Sequence, residues 1–162
     1  MRYLLSVFLF FQGLFLHAQK QNRQFELHIR KTVLPVVIDG SISDSAWQDA
    51  DAATDFFMVL PMDTSRANVR TTVKMTYDKE NLYILAICHL STNGQAYRVE
   101  SLRRDFVFGK NDNFIFFLDP FNDLTNGYTF GANAAGAQWD GTLYEGGKAD
   151  LNWDNKWISA VQ

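Results

Sequence analysis

The stretch "TTVKMTYDKENLYILAICHL", Thr71 to Leu90, decides the fold class. Val73, Met75 and Tyr77 alternate with Thr72, Lys74 and Thr76, the period-2 pattern of a half-buried strand. "DKEN", Asp78 to Asn81, turns the chain, and "LYILAICHL" returns as a nearly continuous apolar strand. Two such runs joined by four polar residues predict a β-hairpin.

Working outward, the same signals recur. "NFIFFLD", Asn113 to Asp119, is apolar on both faces, as expected of a strand covered on each side. "GYTFGAN" (Gly127 to Asn133) and "QWDGTLYEG" (Gln138 to Gly146) follow, separated by small residues. Toward the N-terminus, "FELHIRK" (Phe25 to Lys31) alternates as a strand, and Val33 to Ile38 is a second extended piece that Pro35 assigns to a sheet edge. Asp39-Gly40 supplies a turn. From Ser43 to Ala53, the residues Ala46, Trp47, Ala50 and Ala53 fall at helical spacing, with Ser43 as the N-cap. Trp47 is read as the anchor that docks this helix on the sandwich edge. The expected architecture is an all-β, jelly-roll-like β-sandwich with one short helix near the N-terminus. "DLNWDNKWISAVQ" ends on a fresh strand-like run, so the closing strands are expected beyond Gln162.

"MRYLLSVFLFFQGLFLHA", residues 1–18, has an early Arg2 and an apolar run from Tyr3 to Phe11, the pattern of a cleaved secretory signal peptide. Residues 19–32 read as a leader and first strand, and residues 33–162 as an incomplete sandwich. The predicted location is secreted, in the periplasm or at the cell surface. After Ala18 no stretch is apolar for long enough to span a bilayer. Without Arg2 the chain carries 14 basic and 18 acidic residues and no basic run, which argues against nucleic acid and anionic membrane surfaces. The single cysteine, Cys88, excludes an internal disulfide and reads as a small buried hydrophobe. Fourteen Phe, six Tyr and four Trp point instead to a fold stabilised by aromatic burial.

Taken in order, "IDGSISDSAWQDA", "VKMTYDKENLYILAICH", "NDNFIFFLDPFND" and "GYTFGANAAGAQWDG" resemble the family 9 carbohydrate-binding module, in the version found at the N-terminus of large secreted bacterial proteins. The resemblance covers about Val36 to Gln162. It implies a β-sandwich, a glycan or oligosaccharide ligand, frequent structural calcium, and a C-terminal domain of a longer protein. It also implies a sugar clamped between two Trp rings. One of those positions falls in "FVFGKND", where this chain has Phe106 and Phe108. A family Glu falls near Ile115, a family Arg near Gly131, and the second Trp beyond Gln162.

Sugar recognition needs a flat aromatic face and polar groups for the hydroxyls, because an unpaired buried hydroxyl costs about 1–3 kcal/mol. Trp139, Trp153 and Trp157 are candidate platforms, with Asn133 among the polar residues around them and Phe108 a further platform by position. These Trp equally suit filling of the sandwich edge. Arg104 could present its planar fork to two hydroxyls, or pair with an Asp to fix a loop. In "DPFND", Asp119 and Asp123 are candidate calcium ligands, or the residues of an ordinary Asp-Pro turn.

Catalytic constellations are missing: there is no His pair for zinc, no nucleophile elbow and no phosphate loop. The chain reads as a non-catalytic carbohydrate-binding module linked to polysaccharide catabolism, glycoside hydrolysis belonging only to other parts of a longer protein. The alternative is a structural or protein-interaction sandwich that has lost the sugar site.

Overall fold

In the computed structural model the described residues are 25–61, 64–90, 94 and 96–162; the signal-peptide reading of residues 1–18 lies outside them. Ten short elements run in the order β1 (Arg30–Lys31), a 3-10 turn (Ser45–Trp47), β2 (Ala52–Ala53), β3 (Thr71–Tyr77), β4 (Leu82–Cys88), a 3-10 turn (Phe108–Lys110), β5 (Asn113–Leu118), β6 (Gly127–Asn133), β7 (Gln138–Tyr144) and β8 (Lys148–Asp150). The strands form two four-stranded sheets, the all-β architecture expected of the sequence.

The hairpin that decided the fold class organises the first sheet. β3 and β4 pair antiparallel from Thr71↔Cys88 to Tyr77↔Leu82. Asp78 builds the loop: its Oδ1 accepts the backbone N–H groups of Glu80 (2.7 Å) and Asn81 (2.7 Å), and its Oδ2 accepts the Tyr83 hydroxyl (2.7 Å). These donors, the Glu80 N–H first, hold the Asp78 carboxyl below its ordinary value. On the other edge of β3 sit two short strands, β2 antiparallel at Val73 and Lys74 and β1 parallel at Thr76 and Tyr77.

Three N-terminal expectations are corrected here. Of Phe25 to Lys31 only Arg30–Lys31 is strand, and Val33 to Ile38 joins no sheet. The helix from Ser43 to Ala53 is a single 3-10 turn, with Trp47 N–H donating to Asp44 O (3.1 Å). The causes are tertiary. Asp44 sends its carboxylate back to the Val37 N–H (2.9 Å) instead of capping. Lys74 Nζ takes the Trp47 carbonyl (2.7 Å), which a continuing helix would need for its next turn. Ala52 and Ala53 are then claimed by β3. Trp47 and Ala46 are nonetheless buried, so the docking role expected of Trp47 is met without the helix.

The second sheet has the order β5-β6-β7-β8, antiparallel throughout. Its register, Phe116↔Phe130↔Asp140 beside Ile115↔Gly131↔Trp139, sorts the residues onto two faces. One face carries Phe114, Phe116, Tyr128 and Phe130. The segment after β8 lies over it, joining no sheet: Trp153 packs on Tyr128 (5.1 Å between centroids), and Trp157 sets its ring edge-on to Phe130 (5.6 Å). The strand-like tail predicted at "ISAVQ" is therefore a strap, not a strand, among the described residues. The opposite face carries Ile115, Phe117, Gly131 and Trp139. β5 is not covered on both sides as its apolar run suggested, since Phe117 is 63% exposed. Cys88, expected in the core, is exposed at the end of β4, its sulfur still shielded enough to push the thiol up.

Candidate functional site

The face of the second sheet opposite the strap, buried at Thr129, Gly131 and Trp139 but exposed at Phe117, forms one wall of an open groove of about 460 Å³. Its floor is formed by Ile115 and Trp139, which the β5-β6-β7 register sets on either side of Gly131. Ile115 leans over Gly131: a Cβ on Gly131 would stand 2.5 Å from Ile115 Cγ1 and 2.7 Å from the Phe114 carbonyl. No side chain fits at Gly131 while Ile115 keeps this position, so an arginine is sterically excluded there.

Phe108 is delivered to the groove by a loop that Asn111 ties down from within. Buried Asn111 accepts the backbone N–H groups of Glu100 (2.8 Å) and Ser101 (3.1 Å) through Oδ1 and donates to the Val107 carbonyl (3.0 Å). Phe106 is buried beneath the same loop. The 3-10 turn Phe108–Lys110 then stands the Phe108 ring edge-on to Trp139, 6.4 Å between centroids. Phe108 is 61% exposed and Trp139 only 6%. Trp139 thus forms the base of the groove, and Phe108 and Phe117 are the accessible aromatic faces. Phe56 and Thr71 approach from the side of the first sheet.

Polar groups in the groove are few. Asn113 donates through Nδ2 to the Phe108 carbonyl (2.8 Å), and among the described residues nothing donates to its Oδ1. Thr71 Oγ1 likewise has no partner among the described residues. Among the described residues no ionisable side chain lines the groove.

The other candidate residues lie elsewhere. Trp153 and Trp157 cover the opposite face of the sheet, so they cannot share a site with Trp139 and Phe108. The indole N–H of Trp157 is buried with no acceptor among the described residues. Asn133 is fully buried and turns the β6–β7 connection: Oδ1 accepts the N–H groups of Ala135 (3.1 Å) and Ala137 (3.0 Å), and Nδ2 donates to Ser101 O (2.7 Å). Three of the four hydrogen bonds its amide can make are taken, and burial closes the remaining Nδ2 hydrogen to a ligand.

Arg104 is the hub of the strap. Its Nε donates to Asp154 (2.7 Å), its Nη1 to Gln138 Oε1 (2.9 Å), and its Nη2 to Asp140 and to the Asn155 carbonyl (3.2 Å). Asp140 is 0% exposed and also accepts the Asn155 N–H (2.8 Å). Gln138 Nε2 continues the fastening to Trp157 O (3.2 Å) and Ser159 Oγ (3.0 Å). Beside them, burial pushes the Asp105 carboxyl up, against the pull of the Asp140 N–H and the Arg104 charge. The Arg104 fork is therefore engaged in holding residues 154–159 on β7.

Asp119 and Asp123 accept five backbone N–H groups and the Asn126 side-chain amide, all within their own loop. The Asn126 side chain, more than any other donor, holds Asp123 below its ordinary value. Two carboxylates so engaged do not fit a cation that takes 6–8 oxygens, and no group of three or more His, Cys, Asp or Glu among the described residues could hold a metal ion. The loop is an Asx-type turn, the plainer of its two readings.

The groove residues that sequence reasoning missed are Phe56, Thr71, Asn113 and Phe117. Phe117 was legible in principle: it has the opposite parity to Phe116 in "NFIFFLD", so one of the two needed its own cover. The others are joined to the groove only by sheet packing. No helix among the described residues is long and apolar enough to cross a membrane. No protein of curated function and no solved structure matches the chain. Residues 38–151 match the carbohydrate family 9 binding domain-like family, a span that runs from the Asp39-Gly40 turn through β8 and holds the whole groove, and the chain belongs to that family.

Proposed function

We propose that this domain is a non-catalytic carbohydrate-binding module of an exported protein, and that it holds glycan in the Phe108–Trp139 groove. One observation carries the reading. Two of the positions near which the family resemblance puts sugar contacts, Phe108 and Ile115, line one open groove with Trp139, and the third, Gly131, lies between Ile115 and Trp139 in the sheet, under the Ile115 side chain. Exposed Phe108 and Phe117 offer flat apolar faces for the C–H side of a pyranose, and Thr71 Oγ1 and Asn113 Oδ1 offer hydroxyl partners. The N-terminal apolar run supports export, and membership of a binding-domain family supports a role in bringing an exported partner domain to polysaccharide.

Calorimetric titration of the folded protein with a panel of soluble neutral oligosaccharides tests this. Saturable binding is expected, weakened about tenfold, or about 1.4 kcal/mol, by Phe108→Ala and unchanged by Trp153→Ala on the opposite face. A flat response across the panel from folded protein refutes it. A second reading, a protein-interaction sandwich, is favoured by one specific feature: the groove wall is apolar and lacks the charged partners that sugar hydroxyls prefer.

A further inference from the structure

The lining of the groove limits which sugars it can hold. A hydroxyl-rich pyranose pressed against Ile115, Phe117 and Trp139 would leave hydroxyls buried without partners, because among the described residues only Thr71 and Asn113 present free polar atoms there. Neither Ile115 nor Gly131 offers a hydrogen bond from its side chain, and Gly131 cannot be given one while Ile115 leans over it. Arg104, Asn111, Asn133 and Gln138, planar polar groups close in sequence to the groove residues, are engaged elsewhere. Among the described residues the wall also carries no charge, so an acidic sugar would lose solvation there without gaining a partner.

Resting on the glycan reading above, we infer that the groove is selective for neutral glycans whose hydroxyls are masked, by O-acyl esters or O-methyl groups. An ester or ether methyl laid on the apolar lining of Ile115, Phe108 and Phe117 is buried favourably and orphans no hydroxyl. Thr71 and Asn113 then suit the ester carbonyl and one remaining hydroxyl: Thr71 can donate and Asn113 Oδ1 can only accept.

The test uses xylohexaose in two forms, plain and partly O-acetylated, titrated calorimetrically against the full chain. The acetylated form is expected to bind about tenfold tighter. Ile115→Gln places an amide on the wall and should narrow that preference to less than about threefold, an expectation that follows from the same tenfold scale. Thr71→Val, a near-isosteric change at the groove edge, serves where Ile115→Gln lowers the melting temperature; it should weaken the acetylated ligand while leaving plain xylohexaose the poorer of the two. Equal affinities for the two forms overturn the masked-hydroxyl inference and leave the glycan reading standing. Absence of binding to either form, by protein shown folded, overturns both.

Discussion

Arg104→Ala is the perturbation that the structure resolves best. Asp140 has 0% side-chain exposure, and among the described residues Arg104 is its one cationic partner. Removing the guanidinium leaves a buried carboxylate with only the Asn155 N–H, at 2.8 Å, beside its sheet neighbours. Breaking a buried ion pair from one side costs about 3–5 kcal/mol. The Arg104 side chain is 34% exposed, so water can reach part of the gap and the low end, about 3 kcal/mol, applies. The same guanidinium also holds Asp154, but that residue is 68% exposed, and such a surface pair contributes about 0.2–1 kcal/mol. The two partners of one arginine therefore differ several-fold in consequence.

Urea denaturation of wild type, Arg104→Ala and Asp154→Ala separates them. Arg104→Ala should lose about 3 kcal/mol, a fall in melting temperature of roughly 10 °C for a domain of this size, and Asp154→Ala less than about 1 kcal/mol. Arg104→Lys should recover only part of the loss, since a single ammonium cannot reproduce a fork that reaches Asp140, Gln138 and Asp154 together. Below its melting transition, Arg104→Ala should bind oligosaccharide as wild type does, because Arg104 lies outside the groove. The reasoning fails if Arg104→Ala costs under about 0.5 kcal/mol, if Asp154→Ala costs as much as Arg104→Ala, or if folded Arg104→Ala loses glycan affinity.

Gly131→Ala must displace Ile115 or the Phe114 backbone, 2.5 and 2.7 Å from the new Cβ, and is expected to destabilise by about 1–3 kcal/mol in thermal or chemical melts. Trp47→Ala empties a buried site against β3 and should cost about 3–5 kcal/mol by the same measurement; a small loss would return Trp47 to the surface. The Asp78 carboxylate, held below its ordinary value by the Glu80 and Asn81 N–H groups, helps the β3–β4 turn at pH above the unfolded carboxylate range. That help is lost as pH falls through the depressed folded value. Amide exchange at Glu80 and Asn81 should therefore accelerate only under strongly acidic conditions, and Asp78→Asn should abolish that pH dependence.

How much of this was legible in the sequence depends on how far each feature reaches. The β3–β4 hairpin and strands β5 to β7 were readable because alternation and turn residues are local, and register along a hairpin follows from its loop. Ser43 to Ala53 misled because spacing of Ala and Trp is equally local, whereas its fate was set by Lys74 and β3 from more than twenty residues away. The site misled for the same reason at longer range. Arg104 reads as a planar donor to sugar or as an Asp-paired loop fixer until Asp154, fifty residues on, is brought to it and the second reading holds, and Asn133 reads as a ligand until Ser101 closes on its amide. Apart from the anchor Trp47, the tryptophans Trp139, Trp153 and Trp157 read as one aromatic pool. Only the register, which puts Trp139 in phase with Ile115 and out of phase with Phe130, divides them into a groove floor and a strap. That division sets Trp153 and Trp157 over Tyr128 and Phe130, where they stabilise, and leaves the groove on the other face to Phe108, Ile115, Phe117 and Trp139. A sugar site built on that lining must gain its affinity mainly from apolar contact, which is why the masking of hydroxyls, and not their number, is expected to decide what binds.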